Sequence, residues 1–320
     1  MTGRGLKGGL GLGILGLAYL LAWPVAITPL AWQPLADPGL SGIYAGNEAL
    51  RGIEVLHPEL AGPAALDRDR DGNLVAGVAD GRVLRLQSKD RSSQPLALAP
   101  ARAQSLQWLS DDRILVADEQ AGAWALTGGE RFRLSAEAEG TPFHYVTGIH
   151  MTVGGQIYFL EGSTRYGAGE TYSEFLESAP NGRLLRYDDL NNTSTVALRD
   201  LYFPTSLCAG PGDAYLLIAE MSRYRVLRHW LKGEKAGQTE VFIDTLPGFP
   251  DGIRWNGRDT FWLSLYGPRS AALDSAASQP WLRRLYARLP AMLQPKPQAR
   301  AWVLGLNTEG KLTHNLQYAG

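Results

Sequence analysis

Five segments of this chain open on the same kind of phrase: Gly62-Pro63-Ala64, Ala103-Gln104-Ser105, Tyr145-Val146-Thr147, Phe203-Pro204-Thr205 and Phe249-Pro250-Asp251. Each is followed by an apolar run, a Gly- or Asp-containing turn and a second β-rich run, so the repeated unit reads as an inner hairpin. Runs 73–78 and 82–86 flank Asp80-Gly81, and runs 215–220 and 224–228 repeat the plan. The starts recur roughly forty to sixty residues apart, a period that belongs to propeller blades rather than to a sandwich. Short strands rich in β-branched and aromatic residues make the class all-β.

The balance of 31 Lys and Arg against 32 Asp and Glu removes the electrostatic footprint that nucleic acid requires. One cysteine, Cys208, cannot form an intramolecular disulfide, and within Leu207-Cys208-Ala209 it reads as a small core residue. From Gly8 to Ile27 there is no charged residue, while Arg4 and Lys7 stand just before. About 20 apolar residues suit a helix that crosses a bilayer, and the flanking cations hold residues 1–7 in the cytoplasm. The reading is a signal anchor over 8–27 with the rest of the chain on the periplasmic or extracytoplasmic side. The alternative is a cleaved signal peptide, for which Ala22-Trp23-Pro24-Val25 offers a poor site. Gly11 to Gly16 matches G-x-G-x-x-G, but without a βαβ unit around it the match is coincidence. Gly9 and Gly13 form a G-x-x-x-G pair through which two anchors could pack as a homodimer.

Residues 28–45, with Pro29, Pro34 and Pro38, read as a linker, and 46–320 as the folded domain. Between Pro280 and Leu293 the apolar residues fall at helical spacing with Arg283, Arg284 and Arg288 among them. Such a helix can pack across one end of the propeller or lie in a membrane interface.

Little in the sequence carries chemistry by itself. Asp67 to Gly72 resembles the opening of a calcium loop, but Val78 stands where its bidentate Glu belongs, so a solvated turn is the better reading. No H-E-x-x-H, G-x-S-x-G or paired cysteines occur. A propeller brings inner strands to a central channel, where Thr147, Thr205 and Asp251 can converge on one pocket. His144 and His150 are the candidate general bases. Glu161 is a further polar candidate, and Glu220 reads as the partner of Arg225 or Arg228 across strands.

Taken as a set, Gly62-Pro63, 79–83, 181–185, 201–204, Ala219-Glu220 and 247–253 resemble the strictosidine synthase-like family, within the wider group of SMP-30, gluconolactonases and paraoxonases. The resemblance implies a six-bladed propeller, a calcium ion in the channel, and ester or lactone hydrolysis in active members. It also implies an N-terminal anchor with the domain outside. The ligand pattern it implies falls on Ala64, Thr147, Thr205 and Asp251, of which only Asp251 matches. The reading is thus a hydrolase-related propeller with a degenerate metal site and weak or lost activity; the alternative is a non-catalytic binding or scaffold propeller. A small ester or lactone is the ligand class. The last blade, built from the run after Ala301, reads as incomplete. Residues 47–60 or a second copy of the chain would then cover its edge.

Overall fold

The computed structural model describes residues 19–20, 23–87, 91–109, 111–120, 122–295, 298 and 300–319. Five sheets of four antiparallel strands follow one another along the chain. Blade one is β1 (Ala65–Arg68), β2 (Leu74–Gly77), β3 (Arg82–Leu86) and β4 (Ser93–Leu98); blade two is β5 (Ala103–Trp108), β6 (Ile114–Asp118), β7 (Gly122–Thr127) and β8 (Glu130–Ser135). A short hairpin, β9 (Glu137–Ala138) and β10 (Thr141–Pro142), leads to blade three: β11 (Tyr145–Met151), β12 (Ile157–Ser163), β13 (Gly182–Asp188) and β14 (Thr193–Leu201). Blade four is β15 (Pro204–Ala209), β16 (Tyr215–Glu220), β17 (Arg225–Trp230) and β18 (Thr239–Ile243). Blade five is β19 (Gly248–Trp255), β20 (Phe261–Pro268), β21 (Ala301–Leu306) and β22 (Leu312–Tyr318).

Strand order equals chain order in every blade, as hairpin-by-hairpin folding requires. The Asp80-Gly81 turn needs its glycine: Gly81 holds φ +86°, and an added Cβ would stand 2.7 Å from the Ala99 carbonyl oxygen. Blades pack face to face through their inner strands, from one to two, two to three, three to four and four to five. Buried Val, Leu, Ile and Phe fill those interfaces: Phe159, Leu160, Leu207, Leu217, Phe249 and Leu263 are all almost wholly enclosed. Gly182 marks a close approach, since a Cβ there would lie 2.3 Å from Cδ of Pro204 in the next blade.

The expected six-bladed ring with an incomplete last blade is not what the strands form. The run at Ala301 pairs with β20, from Phe261↔Leu306 to Ser264↔Val303, so it completes blade five. Among the described residues there is no sixth four-stranded sheet, and residues 47–60 form no strand. The physical reason is an insertion: residues 269–300 separate the second and third strands of blade five, carry two helices, and break the period that the sequence reading followed. Blade five does not pack on blade one as the other neighbours pack on each other, so the channel opens sideways there. The start of the domain is instead tied to the outer edge of blade five by two side-chain amides and a backbone bond. Gln317 Nε2 donates to Tyr44 O at 3.1 Å, Asn315 Nδ2 to Ala45 O at 3.0 Å, and Leu50 N to Gln317 O at 3.0 Å.

Three short helices, α1 (Thr171–Glu177), α2 (Ala271–Ala277) and α3 (Pro280–Arg288), form a cap over the end of the propeller where the inner strands begin. The amphipathic segment expected over 280–293 is helical only as far as Arg288; Leu289 is extended and Pro290 follows it, so residues 289–293 lie beyond the helix. The Pro-rich stretch 28–45 carries no strand and only one 3-10 turn, Gly42–Tyr44, and it lies docked on the domain. Leu30 N donates to Glu177 O and Trp32 N to Ala277 O, both at 3.1 Å, and Ile27 is buried in the core. Most of the expected anchor, 8–18 with 21–22, lies outside the described residues. Among those described, no helix is long and apolar enough to cross a membrane.

Candidate ligand cleft

A bulge near the start of four inner strands decides which side chains reach the channel. In β5 the pairing passes from Ala103↔Asp118 to Ser105↔Ala117, leaving Gln104 unpaired. Thr147 is the extra residue in β11, Thr205 in β15, and Asp251 with Gly252 in β19. A bulged residue leaves the pleat and is re-aimed, which is how the repeated phrase sends its third member, or its second in blade two, inward.

The hydroxyls so placed are engaged between blades. Thr147 Oγ1 donates to Pro204 O at 2.8 Å, joining blades three and four, and Thr205 Oγ1 donates to Asp251 O at 2.8 Å, joining four and five. Ala64 offers a methyl group. A hard divalent cation needs several charged or carbonyl oxygens facing one point, and these residues do not fit calcium. Among the described residues no group of three or more His, Cys, Asp or Glu could hold a metal.

Asp251 instead lies in a cleft of about 960 Å³ with Arg102, Gln104, Glu119, Tyr145 and Arg254 around it. Gln104 Nε2 donates to Glu119 Oε2 at 3.0 Å. Asp251 stays open to the cleft, yet the surrounding channel walls strip enough water from it to raise its pKa, and the Arg102 guanidinium opposes the rise. The Tyr145 phenol is pushed up to about 12, first by burial and then by the Glu119 and Asp251 charges, with Arg102 again opposing. This polar floor gives way to apolar walls: Phe203 and Phe249 from the blades, Tyr172 and Phe175 from α1, Leu273 from α2. Trp262, Tyr266 and Leu66 flank the open side between blades five and one.

Neither candidate base lines this cleft. His144 is exposed, and its backbone N–H is held by Glu161 Oε1 at 2.8 Å. His150 sits toward the far end of β11, where burial lowers its pKa to about 4; Asp213 opposes this, Arg254 adds to it and Asp67 opposes it, so the imidazole is neutral at pH 7. Glu161 and Glu220 are wholly buried and serve the scaffold. Glu161 Oε2 accepts from Arg183 Nε at 2.6 Å, and Glu220 Oε2 from Arg225 Nε at 2.5 Å, the partner foreseen for it. Sequence reasoning missed Arg102, Glu119 and Tyr145. Gln104 could have been found, since it occupies the bulge of blade two.

The cap over the cleft is bolted down by buried charge. Glu177 Oε2 accepts from Thr28 N at 2.7 Å and from Tyr166 Oη at 2.6 Å, and Arg165 Nη1 reaches its Oε1 at 3.1 Å. One turn away, Glu174 Oε2 accepts from Ser163 Oγ at 2.5 Å and Asn181 Nδ2 at 3.0 Å. Burial raises the Glu174 pKa to about 7; Ser163 and Asn181 oppose the rise, Glu177 adds to it and Arg165 opposes it. The folded state thus holds this proton more tightly than the unfolded chain. Its stabilising contribution is full below about pH 4.5 and is lost as pH rises to about 7. Glu174→Gln is expected to remove that slope, stabilising the protein above pH 7 by on the order of 3 kcal/mol relative to its effect at pH 4.5. Thermal melts at both pH values check it, and parallel profiles for the two proteins would refute it.

Two family models match the chain, strictosidine synthase over residues 149–234 and the strictosidine synthase-like N-terminal segment over 42–86. Strictosidine synthase-like protein 13 of Arabidopsis thaliana is 35% identical over 163 residues, 51% of this chain and 40% of the plant protein, so the match spans less than half of that relative. The adipocyte plasma membrane-associated protein of Homo sapiens is 28% identical over 301 residues, covering 86% of this chain and 71% of the relative. Among solved structures, a gluconolactonase from Xanthomonas campestris superposes with a TM-score of 0.58 at 15% identity, over 81% of this chain and 76% of that one. That likeness concerns the fold alone. The resemblance read from the sequence motifs is borne out.

Proposed function

We propose that this strictosidine synthase-like chain is an exported, membrane-anchored propeller whose cleft receives an amphipathic ester or lactone, with hydrolysis weak or lost. The carrying observation is the engagement of Thr147 and Thr205. At the positions where the family resemblance implies metal ligands, two hydroxyls join blades and only Asp251 remains as a carboxylate. Metal polarisation of a carbonyl has no support from this donor set. A ligand with a polar head and an apolar tail fits the division between floor and walls, its head meeting Arg102, Asp251 and Glu119. The relation to gluconolactonases by fold, and a relative named as plasma membrane-associated, support the class of reading. The second reading is a binding propeller without turnover, and the same hydrogen bonds favour it.

Calcium separates these readings from a metallohydrolase. A site with micromolar affinity, at a thousand times its dissociation constant, would add about 4 kcal/mol to stability. Here millimolar calcium is expected to leave the melting temperature nearly unchanged, and any turnover of aryl esters or lactones is expected to survive chelation. Micromolar calcium binding by calorimetry, abolished in Asp251→Ala, would overturn the proposal. Turnover that is insensitive to chelators but lost in Asp251→Asn would select the weak hydrolase over the binding module.

A further inference from the structure

We propose that the cap end of the propeller is a docking face for an anionic lipid bilayer, which sets the cleft mouth against the membrane. This deepens the anchored reading and rests on it. The chain that leaves toward the expected anchor is held by the cap itself: Arg288 on α3 donates from Nε to Trp23 O at 2.6 Å and from Nη1 to Leu20 O at 3.0 Å. Large apolar side chains on α3, just after it, and at the tethered Trp23 are exposed. Trp23 and Trp281 are each 60% exposed, Leu293 63% and Met292 87%. A folded domain rarely leaves such a patch to water, and tryptophans with basic residues are the composition of a membrane interface.

The charge has the matching sign. From Ser275 to Thr308 the sequence contains no acidic residue but carries Arg283, Arg284, Arg288, Lys296 and Arg300. Arg283 turns inward, whereas Arg284 is exposed beside Trp281. Glu170, exposed just before α1, is an opposing charge on the cap. The same cap elements wall the cleft, through Phe175 of α1 and Leu273 of α2, so an amphipathic ligand could enter from lipid.

The test uses the full chain in vesicles. Cys208 is buried, with its thiol pushed up to about 12, so an introduced cysteine can be labelled selectively. Met292→Cys and Trp281→Cys, each with an environment-sensitive fluorophore, are compared with Val153→Cys, whose parent is 96% exposed on the far-end turn. In vesicles containing phosphatidylglycerol, lipid-borne doxyl quenchers are expected to cause a large loss of emission at 292 and 281 and little at 153. Arg284→Glu is expected to reduce that loss. Equal emission loss at 292 and 153, in protein that still floats with vesicles after a high-salt wash, would overturn the docking face and leave the anchor standing. Quenching at 292 in protein that salt releases would retain the docking face and remove the anchor. A mature form that begins after residue 22 and does not float removes both.

Discussion

Glu161→Ala is expected to destabilise the propeller by about 3–5 kcal/mol, the loss typical of a buried ion pair with one partner removed. Glu161 is wholly enclosed, and Arg183, only 5% exposed, donates to it at 2.6 Å. The rest of the guanidinium is held by Ala138 O at 3.3 Å and Thr141 O at 3.1 Å, so it cannot swing out to water without breaking the β9–β10 hairpin. Alanine would leave that charge without a counter-ion and His144 N without an acceptor. Because His144 precedes Tyr145, the disturbance passes directly to the strand that carries the cleft's phenol. The double change Glu161→Leu with Arg183→Met should lose less than the single one, since it removes the stranded charge along with its partner. Urea unfolding of the three proteins checks this, with Glu48→Ala as the reference, because the exposed Glu48–Arg51 pair should contribute less than about 1 kcal/mol. A single variant as stable as the double would show that Arg183 finds another partner.

The repeated phrases located the inner strands well because a bulged strand start has a local cost that residue type must meet. Proline fixes the backbone at Pro204 and Pro250, and a short polar side chain can serve the re-aimed position at Thr205 or Asp251. The acid closing β16, Glu220, was visible for a similar reason: a buried carboxylate calls for a basic partner on the next strand, and Arg225 stands opposite it in register, whereas Glu161, read only as a polar candidate, pairs in the same way with Arg183. What could not be read was anything set by insertions or by backbone carbonyls. Thirty-odd residues between β20 and β21 hid the completion of blade five and suggested a sixth. Docking of residues 23–45 depends on main-chain groups meeting Glu177, Arg269 and Arg288 from far along the chain, for example Leu35 O with Arg269 Nη1 at 2.8 Å. Prolines there dictate an extended path in either case, so composition could not separate a docked strap from a free linker. The cleft floor was hidden likewise, since Arg102 and Glu119 meet Asp251 only when blades two and five face each other.

Arg283→Met should release the cap, with an effect as large as that of Glu161→Ala but confined to one end. Arg283 is 3% exposed and donates to four carbonyls: Ala276 O at 3.1 Å, Leu176 O at 3.2 Å, Glu177 O at 3.3 Å, and Ala277 O in a close contact. Burial and the neighbouring Arg223 draw its pKa down to about 10, so it stays charged at pH 7. One side chain thus binds the last turns of α1 and α2, and two of its acceptors, Glu177 O and Ala277 O, also receive Leu30 N and Trp32 N of the strap. Methionine can fill the volume but takes one donor from each carbonyl, leaving the strap bonds to Glu177 O and Ala277 O without the charge that shares them, at about 1–3 kcal/mol for any group left unsatisfied. Since the blades keep their own ladders, the loss should appear as local opening rather than global unfolding. Hydrogen exchange at Leu30 and Trp32 is therefore expected to accelerate by a factor of about 100 or more, the equivalent of roughly 3 kcal/mol, while β12 and β16 keep their protection. Arg284→Met, one residue on and exposed, should change neither. Unaltered exchange of the strap in Arg283→Met would mean that Ile27, Trp32 and Glu177 hold it without the arginine, and that the cap is a packed lid rather than one pinned by a single charge.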